Sequence, residues 1–234
     1  MTGTAGRPGA DGSRDHGRRG DPAPRPAGES GGSRRAAVLL LAGPPAAGAC
    51  PPGVAPDAYA RALAEDVVDL LVELPGLEPV VAAAADRVAD AEDIVWPGTP
   101  VLETVLATPA EVLTALAALG YDEAALVAPD APDLPGLLVA KPFSRLSTAS
   151  LAAVPADGGG LVVLAAKLPA PGWLPAGITL DTPDAVARLT AAAPSRRDFA
   201  VAPAWRRLRT PSDLAGLDPG LEGWETTRAL LTGR

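Results

Sequence analysis

Between residues 36 and about 190, short apolar runs alternate with amphipathic stretches of helical period, and that alternation admits few architectures. The first run is Ala36 to Ala42, AAVLLLA. Residues 57 to 74 then place Tyr59, Leu63, Val67, Leu70, Leu71 and Leu74 on one stripe, with Arg61, Glu65, Asp69 and Glu73 elsewhere, which predicts a helix. Pro75 and Gly76 end it. EPVVAAAA reads as a second buried strand, DIVW (residues 93 to 96) as a short strand, residues 101 to 119 as one or two helices, and Ala124 to Ala128 as a further strand. Leu137 to Ala149 reads as a helix, and SLAAVP and LVVLAA as two strands around the glycine turn ADGGG. Continuous apolar strands interleaved with amphipathic helices predict a three-layer α/β sandwich around a mostly parallel sheet.

Residues 1 to 35 contain no apolar run and are rich in Gly, Pro, Arg, Asp and Ser, so a disordered tail is expected there and a single domain over 36 to 234. Arg34 and Arg35 before AAVLLLA, with Cys50 after it, also allow an export-signal reading. Against it, the run is short and stops at Gly43, Pro44 and Pro45. No segment approaches the roughly 20 apolar residues of a membrane span, so a cytoplasmic protein is expected.

The net charge of -8 is unevenly spread. Residues 36 to 187 carry five basic and 19 acidic groups, whereas 188 to 234 carry eight basic and five acidic. An acidic body repels phosphate backbones and anionic lipid, which argues against nucleic-acid and membrane partners. One cysteine, Cys50, forms no intramolecular bridge, and one histidine, His16, leaves a Cys/His zinc site without ligands. The same scarcity argues against thiol or Ser-His-Asp catalysis.

Ligands of parallel sheets bind beyond the carboxyl ends of the strands, which draws attention to three loops. Gly43 to Gly53 follows the first strand; Gly43 and Gly48 are candidates for backbone contact with a nucleotide, although the loop matches no phosphate-binding fingerprint. In APDAPDLPG, Asp130 and Asp133 follow the strand ending near Ala128 and are candidate ligands for Mg²⁺ or Mn²⁺, or else Asp130 starts a turn and Asp133 caps the following segment. In ADGGG, Asp157 is the candidate catalytic carboxylate, holding an acceptor hydroxyl, or a second metal ligand beside Asp130, and Gly158 and Gly159 allow close approach of a ligand, unless the turn is only a hairpin. Helix starts are expected at three Thr-Pro pairs, Thr108-Pro109, Thr182-Pro183 and Thr210-Pro211, each with an acid close behind. Trp96, Trp173 and Trp224 are expected to pack in or at the edge of the core.

These features together resemble the nucleotide-diphospho-sugar transferase superfamily, the GT-A fold: a first strand with a Gly-rich loop, then PDAPDLPG, ADGGG opening a strand, and DTPDAVARL after a late strand. The resemblance is nearest to small bacterial glycosyltransferase-like proteins of the arsenosugar-biosynthesis type, and next to 2-phospho-L-lactate guanylyltransferases. In the first branch one strand ends in a serine-aspartate-cysteine-proline-like motif, to which Asp130 and Pro132 correspond. A later strand there opens on aspartate-glycine-glycine, as do Asp157, Gly158 and Gly159. The resemblance implies a GT-A/Rossmann-like fold and a metal-dependent glycosyl- or nucleotidyltransferase binding a nucleotide sugar or nucleoside triphosphate. Two departures stand out: no basic residue lies between Arg35 and Arg61, and Gly160, Leu161 and Val162 replace the aromatics expected after the glycine pair. A degenerate relative that binds a ligand or protein without turnover is therefore the alternative. Cations for phosphate are available in RRDFAVAPAWRRLR, where Arg196, Arg197, Arg206, Arg207 and Arg209 either fold back over the strand ends or remain solvated surface charge.

Overall fold

The computed structural model describes residues 1–3, 33–43 and 48–233. The expected tail falls almost wholly outside these residues, as does the middle of the loop from Gly43 to Gly48. Contacts divide the chain into Met1–Gly32 and Ser33–Arg234, and every helix and strand described lies in the second unit.

Its elements run β1 (Arg35–Leu41), α1 (Pro56–Glu73), β2 (Glu78–Ala84), α2 (Val88–Ile94), β3 (Val101–Thr104), α3 (Pro109–Ala118), β4 (Glu123–Val127), α4 (Gly136–Arg145), β5 (Leu151–Pro155), β6 (Leu161–Lys167), α5 (Ala185–Ala192), β7 (Phe199–Val201) and α6 (Glu225–Thr232). The seven strands form one sheet in the order β3-β2-β1-β4-β6-β5-β7, in which only β6 runs against its neighbours. The α/β fold with a mostly parallel sheet is therefore present. The AAVLLLA run is the central strand, flanked by β2 and β4.

Side-chain alternation in the strands divides the core in two. Ala37, Leu39 and Leu41 face a layer formed by α1, α2 and α4, where Val67, Leu71, Ile94 and Phe143 pack. Ala36, Val38 and Leu40 face Val112, Leu113 and Leu116 of α3 and Leu189 of α5. Because both faces are covered, every residue of β1 after Arg35 is buried, and the strand reads as a continuous apolar run.

Two segments depart from expectation. DIVW is no strand: Ile94 closes α2 with its side chain buried, and Trp96 is 55% exposed, its indole N–H donating to Asp69 at 2.6 Å instead of packing in the core. Residues 101 to 119 are an edge strand followed by a helix; β3 is only partly buried, so it lacks the apolar continuity that marks the inner strands. The Thr108 start is a full capping box with Glu111, and Thr210 makes one with Asp213 on a 3-10 turn, Pro211–Gly216. At Thr182 the helix instead begins later, at Ala185, and the Thr182 hydroxyl accepts from the Thr179 N–H. Trp224 is buried as expected.

The N-terminus of α6 has no side-chain cap of its own. Asp66 of α1 supplies one from 160 residues away, accepting the N–H groups of Thr226 at 2.9 Å and Thr227 at 2.8 Å. Burial pushes its carboxyl above the usual range, against the lowering effect of those donors. A carboxyl raised in the folded state contributes most at pH below its unfolded value, and the contribution fades as pH rises through the folded value. Urea titrations of Asp66→Asn should therefore show the wild type losing ground to the variant as pH climbs from the acid range; a relative gain with pH would contradict this. Asp66→Ala, which orphans both N–H groups, should cost about 1–3 kcal/mol in the acid range and less as pH rises.

Candidate functional site

Six strands run the same way and end at one edge of the sheet, and between β1 and β4 the order reverses: the chain builds outward to β3 on one side and to β7 on the other. A crevice forms at such a switch point because the two following loops diverge. Here it is a cavity of about 500 Å³. Its walls come from the end of β1 (Leu40 to Gly43), Arg87 after β2, Leu106 to Pro109 after β3, and Pro129 and Asp130 after β4. Thr179, Leu180, Asp181, Arg207 and Arg209 close it from later in the chain.

The segment from Trp205 to Arg209 does fold back over the strand ends. Trp205 takes the Pro155 carbonyl at 3.0 Å and gives its own carbonyl to the Asp157 N–H at 2.9 Å, while the Leu208 N–H donates to the Asp130 carbonyl at 2.7 Å. Adjacent arginines in this extended stretch take different acids. Arg206 pairs with Asp133 and stacks on Trp205, whose indole donates to the other Asp133 oxygen at 3.3 Å. Arg207 pairs with Asp130, and both side chains are buried. Arg207 spends its remaining donors on the carbonyls of Leu161 and Leu180, each at 3.1 Å, and on Asp181 at 2.9 Å. Arg209, half-buried, lies 3.6 Å from Asp130 and donates to the Gly159 carbonyl at 3.0 Å and to Asp181 at 2.8 Å. Burial, joined by the charge of Arg207, pushes the Arg209 guanidinium below its usual value. Arg196 and Arg197 lie apart from the cavity, beside β7.

Of the residues singled out in the sequence, Gly43, Gly48 and Asp130 line the cavity; Asp133, Asp157, Gly158 and Gly159 do not. The glycines have identifiable local reasons. A Cβ at Gly48 would collide with the Arg209 carbonyl, so the first loop and the returning segment are in backbone contact there. At Gly159 and Gly160, both at positive φ, a Cβ would meet the Pro183 carbonyl at 3.0 Å and the Leu180 carbonyl at 2.6 Å. Gly158 faces open space. Asp157 is exposed on the hairpin turn. Sequence reasoning missed Arg87, Thr179 and Asp181. Asp181 stands in DTPD, where the helix-start pattern drew attention to the residues after it.

No protein-family model and no curated protein matches the sequence. Solved structures do resemble the chain. A protein of Desulfovibrio desulfuricans G20, proposed to be a nucleotide-diphospho-sugar transferase, superposes with a TM-score of 0.58 at 18% identity, over 86% of this chain and 98% of its own. The chain shares the fold of that protein. The 4-diphosphocytidyl-2C-methyl-D-erythritol synthase of Anaerococcus prevotii gives 0.54 at 12% identity, over 79% and 94%. A Mycobacterium tuberculosis H37Rv protein crystallised with manganese gives 0.51 at 16%, over 86% and 98%.

A divalent ion needs free carboxylate oxygens, and here the expected donors are already engaged. Asp130 turns one oxygen to Arg207 and the other towards Arg209, and both Asp133 oxygens have protein donors. Among the described residues no three His, Cys, Asp or Glu side chains converge as a metal site would require. This donor set does not fit Mg²⁺ or Mn²⁺.

If Asp130 serves chiefly to neutralise Arg207, removing it leaves a buried guanidinium uncompensated. Asp130→Ala should then lower the stability of the ligand-free protein by about 3–5 kcal/mol in denaturant titrations with chelator present. A waiting metal ligand would behave oppositely, its loss leaving the metal-free protein no less stable.

Proposed function

We propose that this chain is a nucleotide-binding transferase whose substrate, a nucleoside triphosphate or a nucleotide sugar, occupies the cavity at the switch point. The observation that carries the reading is the makeup of that cavity. In a chain whose body is acidic, the five charged side chains lining it, Arg87, Asp130, Asp181, Arg207 and Arg209, sum to +1. Phosphates are drawn to such a spot, and a cavity of this size accommodates a nucleotide.

The apolar wall of Leu40, Leu41, Leu63 and Leu106 offers a surface for the base, with Gly43 and Gly48 allowing close approach of the backbone. The hydroxyls of Thr108 and Thr179 lie among the lining residues as neutral hydrogen-bond groups. The arginines hold the phosphates. Ala107 is buried in the wall with a φ of 50°, a left-handed conformation costly for a residue with a Cβ. It is held by the Thr104 hydroxyl, which accepts its N–H at 2.9 Å, so the rim before α3 has a set shape. The chemistry asked of these residues is positioning for in-line displacement and neutralisation of the charge on the departing pyrophosphate or nucleoside diphosphate.

A second reading, binding without turnover, has one observation in its favour. Asp130 and Asp181 are each engaged by a guanidinium, which leaves neither cavity carboxylate free as a base for an acceptor hydroxyl.

Thermal unfolding against a panel of nucleoside triphosphates and nucleotide sugars tests the shared claim. A ligand at a hundredfold excess over its Kd should add about 2.7 kcal/mol and raise the Tm by several degrees. A panel of broad coverage with no shift, in chelator or in Mn²⁺, would contradict the reading. Release of pyrophosphate or nucleoside diphosphate in the presence of acceptors would separate transfer from binding alone.

A further inference from the structure

The geometry points to an anion site, built by Arg207 and Arg209, that takes a phosphate group of the substrate without a divalent ion and that Asp181 fills while the cavity is empty of ligand. The inference rests on the nucleotide reading above and deepens it. One oxygen of Asp181 lies 2.9 Å from Nη2 of Arg207 and 2.8 Å from Nη2 of Arg209. A single oxyanion oxygen bridging two guanidiniums is the contact a phosphate oxygen makes with an arginine pair.

The three partners differ in how firmly they are held. Arg207 is buried, and its Nε and Nη1 are fixed by Asp130 and by the Leu161 and Leu180 carbonyls. Arg209 is tethered by the Gly159 carbonyl, and its backbone N–H by Asp213 at 2.9 Å. Asp181 is the loose member: its side chain is 69% exposed, and its side-chain partners among the described residues are the two guanidiniums. When it swings into water the arginines stay in place, and the cavity lining loses one negative charge.

The charge count explains why a metal is dispensable here. A divalent ion in a phosphate site supplies two positive charges, and the pair Arg207 and Arg209 supplies the same number. Asp130 offsets part of this, and it lies on the Nε side of both residues, leaving the two Nη2 groups directed at Asp181. Burial and the neighbouring charge of Arg207 lower the proton affinity of Arg209, against the raising effect of Asp130 and Asp181.

Calorimetric titration of the full chain with inorganic pyrophosphate in EDTA tests the site directly, with a nucleotide and nucleotide-sugar panel run alongside. Asp181→Asn removes the competing charge and keeps the shape; it should tighten pyrophosphate roughly tenfold, the scale of one charge-assisted hydrogen bond. Arg209→Ala should weaken it by roughly tenfold or more, and Arg209→Lys, which keeps the charge without the fork, should fall between. Asp181 is exposed, so its variant tests the idea even if the Arg209 variants prove unstable. Pyrophosphate binding that needs Mn²⁺, or that Asp181→Asn leaves unchanged or weakens, would overturn the inference. If a nucleotide binds only with Mn²⁺ and is indifferent to Asp181→Asn, the nucleotide reading survives and this one falls. If pyrophosphate behaves as expected and no nucleotide binds, the anion site stands and the nucleotide reading falls.

Discussion

The buried pair between Asp130 and Arg207 is the contact on which the architecture of the site depends. Removing two charges from water costs several kcal/mol for each, and such a pair persists only where the remaining polar atoms also find partners. Arg207 meets that condition through two carbonyls and Asp181. The result is a bolt between the end of β4 and a segment 77 residues later. Once it is closed, Leu208 packs with Tyr59 and Leu63 of α1, the Arg209 backbone lies against Gly48, and the cavity gains its last wall.

The bolt also reconciles two features of the sequence that look opposed. The nucleotide site proposed above requires positive charge, yet the sheet-forming part of the chain is strongly acidic and its first loop is without cations among its residues. Folding brings the basic C-terminal stretch to the strand ends, where two of its arginines are shared between structure and site. Asp130 and Asp133 then read as neutralising partners: each takes one of two consecutive arginines, which points Arg206 away from the cavity and Arg207 into it.

Much of the fold was legible because its inner strands are buried on both faces. AAVLLLA, EPVVAAAA, Ala124 to Ala128 and the pair around ADGGG all announced themselves by apolar continuity, and α1 by its stripe. The edge strand β3 has no such signature, and the seven-residue helix α2, with Ala91 and Ile94 buried and Val88 half-buried beside them, is too short to establish a period. The site was half legible. Asp130 was marked by its place after a strand, and the arginines by their density, but no local pattern encodes that residues 130 and 207 meet. The triple glycine misled in an instructive way: Gly159 and Gly160 make room for backbone at Pro183 and Leu180, the same need for space that a ligand would impose.

A crystal structure of the chain with a bound nucleoside triphosphate, grown in EDTA, tests the central claim most directly. The account predicts phosphate oxygens on Nη2 of Arg207 and Nη2 of Arg209, Asp181 rotated into solvent, and the Asp130 to Arg207 pair intact. Phosphates seated elsewhere with Asp181 still on both arginines, or a nucleotide that enters only with a divalent ion held by Asp130 freed from Arg207, would contradict it.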